Sequence, residues 1–88
     1  MSDRSEILRK RYTWLKAFND DELREISFCA DPGDELSEGE VYFDLGKPER
    51  GVIRASKGER VPEGSCYVSK SSLSKHLWEK LTRSFEKQ

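Results

Sequence analysis

His76, Lys80, Arg83 and Lys87 follow one another at intervals of four, three and four residues, which sets four basic side chains along one flank of a helix. The chemistry open to such a stripe is anion binding, with phosphates or an acidic protein surface as the ligand. A solvated helix flank has the same spacing, and lysines suit the C-terminal end of a helix through its dipole. Glu79, four residues before Arg83, offsets part of the charge. A second basic group, Arg50, Arg54, Lys57 and Arg60, surrounds an expected hairpin, where Tyr42 and Tyr67 are expected to offer stacking faces to single-stranded nucleic acid. No helix-turn-helix spacing, zinc-finger ligand set or aromatic RNA-binding motif accompanies these groups, and a pI near 5.9 is low for a nucleic-acid binder.

Other chemistry is thinner. The acidic run Asp31, Asp34, Glu35, Glu38 and Glu40 has the composition of a calcium loop, but Pro32-Gly33 breaks the alternate-ligand spacing that an EF-hand requires. Cys29, Cys66 and His76 are one fewer than the four ligands of a structural zinc site, so no metal or other cofactor is expected. His76 is the single histidine of the chain, and its place on a helix flank does not make it the oriented base that a serine or cysteine nucleophile needs. An enzyme is therefore not expected. Without an export signal, Cys29 and Cys66 are expected to be reduced rather than bridged.

A formal net charge of -1 hides three blocks. Residues 1–18 hold five basic and two acidic side chains, residues 19–49 two and eleven, and residues 50–88 nine and four. Either the acidic middle neutralises the basic ends within the fold, or separate faces meet separate partners.

The elements that must position these groups follow from periodicity and capping. A helix is expected from the N-terminus, with Asp3 as N-cap and Ile7, Leu8, Tyr12, Trp14, Leu15 and Phe18 on one arc. Arg4 and Arg11 project into that arc. Their stems can lie along apolar surface while the guanidinium reaches water or a carboxylate, or one of them can be held for a partner's anion. Asn19 with Glu22 has the spacing of a capping box and can open a short second helix. Residues 25–30 alternate as a half-buried strand would, with Ile26, Phe28 and Ala30 on one side and Ser27 and Cys29 on the other, so helix and strand compete over 22–30. Residues 31–40 read as loop. Strands are expected over 40–45, 52–56 and 65–70, the first two as a hairpin, with Pro62 outside the ladder because it has no N–H to donate. The last element is a helix from Ser72 to Glu86, capped by Ser71 or Ser72, with Leu73, Leu77, Trp78, Leu81 and Phe85 on its apolar arc.

With 88 residues, 34% of them hydrophobic and 38% charged, the chain suffices for a single domain with a modest core. The expected fold is α+β, with N-terminal and C-terminal helices packed on a small antiparallel sheet of three to four strands. No apolar run has the length of a membrane span, and a cytoplasmic location is expected. The expected function is binding, as an interaction or regulatory module whose partner is another protein or a second copy. The alternative is a nucleic-acid-binding accessory role for the basic residues of the 50–60 hairpin and the final helix.

Overall fold

The computed structural model describes residues 4–86, and side chains as far as residue 83. The expected cap Asp3, the side chain of Phe85 and the last member of the basic stripe, Lys87, lie outside the described residues. The fold is α+β: three helices and a three-stranded antiparallel sheet.

Helix α1 spans Arg4–Arg11 and is shorter than its apolar arc suggested. Tyr12 leaves helical geometry at φ -122° and ψ 89°, and the chain continues as a 3-10 turn over Thr13–Ala17. This break resets the phase of the residues after it. Leu8, Tyr12, Leu15 and Phe18 still reach the core, but Ile7, expected among them, is 43% exposed.

Helix α2, Asp20–Ile26, opens on the expected capping box: Asn19 Oδ1 accepts from Glu22 N at 2.8 Å and Glu22 Oε1 accepts from Asn19 N at 2.9 Å. The strand reading of 25–30 is overturned. A capped start lowers the cost of nucleating the helix, which carries on through Ile26 so that Leu23 and Ile26 are both fully buried. The chain then turns, leaving Phe28 78% exposed and Cys29 buried, the reverse of the alternation. Ala30 alone bridges to the sheet, opposite Tyr67.

Strands β1 (Val41–Asp44), β2 (Val52–Arg54) and β3 (Tyr67–Ser69) are ordered β2-β1-β3. Phe43 lies opposite Val52 on one side and Val68 on the other, while Tyr42 lies opposite Ile53 and Ser69. Pro62 falls outside the ladder, as its missing N–H requires. The final helix α3 spans Lys75–Glu86. Its cap is Ser74, whose Oγ accepts from Leu77 N at 3.2 Å, and not Ser71 or Ser72. Those two belong to a 3-10 turn over Lys70–Ser72, and Leu73 follows in extended geometry, which postpones the helix.

Both faces of the sheet are covered. Phe43, Leu45, Cys66 and Val68 face a core built with Leu8, Leu15, Phe18, Leu23, Ile26, Leu77 and Leu81. Trp14 ties this layer to β1 by donating from Nε1 to Leu45 O at 3.1 Å, with its ring 5.8 Å from that of Phe43. On the opposite face, Tyr42 and Tyr67 pack with Leu36, Ala55 and Val61 from the loops. Among the described residues, no helix is long and apolar enough to cross a membrane.

Candidate functional site

A cleft of about 430 Å³ opens between the start of α3, the preceding 3-10 turn and Glu40. Its floor is Leu73 and the indole of Trp78, and its walls carry Glu40 and Glu79 together with Lys70 and Lys75. Local structure places each of these. The register of β1 against β3 brings Glu40 beside the 3-10 turn, where Glu40 Oε2 accepts from Ser71 Oγ at 3.0 Å and Oε1 accepts from Val41 N at 3.0 Å. Glu40 is thereby a wall of fixed shape. The extended backbone at Leu73 separates Lys70 from Lys75, so the two ammonium groups flank the apolar floor. Among the described residues, neither lysine has an ion pair. Trp78 is held from behind by an edge-on contact with Phe43 at 6.5 Å.

The expected stripe on α3 does not act as one surface. His76 and Arg83 are exposed, but Lys80 is turned toward α2. Its Nζ lies 2.7 Å and 2.9 Å from the two carboxylate oxygens of Glu22 and 4.8 Å from the centre of the Phe18 ring. The hydrogen bond from Lys80, with a further one from the Asn19 N–H, holds the Glu22 carboxyl below its ordinary range. The basic group at the hairpin is divided in the same way. Arg60 donates to Gly33 O at 2.8 Å and pairs with Glu35 at 3.6 Å, and Arg54 donates to Gly39 O at 3.2 Å. Arg50 and Lys57 are exposed.

The stacking faces expected of Tyr42 and Tyr67 are not there. Both rings are buried, 6.2 Å apart, and the Tyr42 hydroxyl accepts from Ser37 N at 3.0 Å. Burial, reinforced by the Asp44 carboxylate across the ladder, raises the Tyr67 hydroxyl above the usual tyrosine range. The sheet face on which bases would stack is the floor of the second core.

Arg4 follows the first of its two expected roles. Its guanidinium crosses the apolar arc to Asp31, with contacts of 2.6 Å and 3.3 Å, and is spent inside the fold. With Arg9 on Asp20, Lys80 on Glu22 and Arg60 on Glu35, the acidic middle of the chain pairs with part of each basic end. Among the described residues, no cluster of three or more His, Cys, Asp or Glu side chains is arranged to hold a metal ion.

Lys70 and Lys75 escaped the reading by spacing because they belong to no helical stripe, and the cleft they flank joins segments thirty or more residues apart. The chain matches no protein-family model, no curated protein and no solved structure.

Proposed function

We propose that this protein is a cytoplasmic interaction module, and that the cleft over Leu73 and Trp78 takes a segment of another protein that presents an apolar side chain beside carboxylates. The observation carrying this reading is the conjunction of an indole floor with two lysines that have no ion pair among the described residues. Elsewhere Arg4, Arg9, Arg60 and Lys80 meet carboxylates of the same chain. A central aromatic anchor ringed by polar groups is the usual anatomy of a binding site whose energy is concentrated in a few residues. Its two ammonium groups can meet carboxylates of the partner segment, while Glu40 and Glu79 in the same walls balance their charge, so complementarity is local to each group. The nucleic-acid alternative keeps its basic groups but not Tyr42 and Tyr67 as stacking faces, because both rings are buried.

Zero-length carbodiimide cross-linking in the native cells, which joins lysine amines to carboxylates, tests the proposal. Cross-links from Lys70 or Lys75 to an Asp or Glu of another protein, insensitive to nuclease and absent from a Lys70→Glu, Lys75→Glu variant, are the expected result. Cross-links that avoid both lysines, or a captured partner that the double variant retains, overturn it.

A further inference from the structure

Two thiols lie together on the helix-facing side of the sheet, outside the cleft. Ala30 and Tyr67 pair through two backbone hydrogen bonds, Ala30 N to Tyr67 O at 2.8 Å and Tyr67 N to Ala30 O at 3.1 Å. Counting one residue from each along the antiparallel pair puts Cys29 opposite Val68 and Cys66 opposite Asp31, so the two cysteines are diagonal neighbours on one face. Both are buried and both are free.

Charged groups bracket the pair. The Arg4 guanidinium donates to Cys29 O at 3.1 Å and lies 3.7 Å from Cys29 Sγ. Asp31 Oδ1, which receives Arg4 at 2.6 Å, lies 3.9 Å from Cys66 Sγ. Tyr12, whose hydroxyl donates to Gly64 O at 3.1 Å, belongs to the same core cluster as Cys66. A cavity of about 200 Å³ opens between α1 and Asp31, lined by Ile7, Leu8, Arg4 and Arg11, and it reaches Cys66 but not Cys29.

We propose that Cys29 and Cys66 are a reversible dithiol–disulfide couple that a small peroxide oxidises through this cavity, with Cys66 as the attacked sulfur and Cys29 as the resolving thiol. In the first step the Cys66 thiolate attacks one peroxide oxygen; the S–O bond forms, the O–O bond breaks, and hydroxide leaves to take up the proton that the thiol released. In the second, Cys29 attacks the sulfenic sulfur; the S–S bond forms, the S–O bond breaks, and hydroxide departs with the Cys29 proton as water. Two thiols and one hydrogen peroxide thus give one disulfide and two waters.

The environment divides the roles. The neighbouring Cys29 side chain brings the Cys66 thiol down to about 6 against the opposing effect of burial, and Tyr12 adds to the lowering. Cys66 in turn, with burial, holds Cys29 far above an ordinary thiol. At neutral pH Cys66, the thiol that the cavity reaches, carries the thiolate and Cys29 keeps its proton, which is the state that the two steps need. Diagonal residues of a regular ladder have Cα atoms about 7–8 Å apart, slightly beyond the usual disulfide span of about 4.4–6.8 Å. Closing the bond must draw the two segments together, and a bond closed under strain is of the readily reduced kind.

The test exposes the reduced protein to hydrogen peroxide at neutral pH, then denatures and alkylates it for intact-mass and peptide analysis. The expected product is a monomer lighter by about 2 Da, with Cys29 joined to Cys66, neither alkylated, and both recovered with dithiothreitol. The rate of thiol loss should reach half its plateau near pH 6, the value of the Cys66 thiol. Cys29→Ser should leave a sulfenic acid on Cys66 that dimedone traps, and Cys66→Ser should leave Cys29 unreacted. If a serine variant does not fold, the product and pH profile of the unaltered protein decide. Two alkylated thiols after exposure, a disulfide between two copies, oxidation of Cys66 to sulfinic acid without a cross-link, or a half-point near about 8.5, the ordinary thiol value, would each overturn the proposal.

Discussion

Lys80 and Glu22, 58 residues apart, are joined by two contacts of 2.7 Å and 2.9 Å that fasten α3 to the first turn of α2. The same Glu22 carboxylate completes the capping box of α2, so one side chain both starts a helix and receives another. It is only 17% exposed, which gives the pair more weight than an ion pair in open water.

Glu22→Gln keeps an acceptor for the Asn19 N–H but removes the charge that Lys80 meets. We expect a loss of about 1 kcal/mol at neutral pH. Because the folded carboxyl lies below its reference value of 4.5, its contribution is full above that pH and is lost as the pH falls through 4.5 and then through the folded value. Urea midpoints of the two proteins should therefore differ at neutral pH and converge under acid. A gap that persists unchanged in acid would refute the coupling.

Two members of the apparent basic stripe should behave oppositely. Lys80→Met keeps a stem over Phe18 but loses the ion pair, and should cost about 1 kcal/mol. Arg83→Glu, on an exposed site, should stay within about 0.5 kcal/mol. Equal effects on thermal unfolding would mean that the stripe is one surface after all.

Gly46 is required by a close approach. A Cβ there would stand 2.6 Å from Gly64 O and 2.8 Å from Ser65 Oγ, and the first of these is backbone that cannot swing aside. Gly46→Ala should lower stability by about 1–3 kcal/mol through crowding. An unchanged melting temperature would show that segments 46 and 64 are farther apart in solution.

Asp44 is fully buried, and its Oδ1 accepts from Gly46 N at 2.9 Å and Lys47 N at 3.1 Å. Asp44→Ala leaves both donors without an acceptor and should cost about 2–3 kcal/mol. Asp44→Asn retains the acceptor and should cost less than half as much. A chemical-denaturation series that ranks the two variants the other way would remove Asp44 from its role in the turn.

Much of this architecture was legible. Asn19 and Glu22 announced α2, Phe43 between Tyr42 and Asp44 announced β1, and Leu77, Trp78 and Leu81 announced the buried face of α3, because each signal is local and its period spans the whole element. Phe28 and Cys29 were misplaced because six alternating residues carry too little periodicity to outweigh a capped helix start. Tyr42 and Tyr67 read as exposed rings in the sequence because the residues that cover them, Leu36, Ala55 and Val61, stand singly among turn residues and have no period at all. The cleft was invisible for a related reason. Glu40, Lys70 and Trp78 meet only through the pairing of β1 with β3, and that is a property of register, not of spacing.

The two covered faces of the sheet have a kinetic consequence. On one side lie helices, and on the other two irregular segments clasp each other through Gly33 N to Val61 O, Val61 N to Asp34 O and Leu36 N to Glu59 O. That clasp can part without undocking α3, so the native protein should breathe asymmetrically. In amide exchange Leu36 and Val61 should trade their protons together, well before Phe43 does, and the tyrosine side of the sheet should be where solvent first enters.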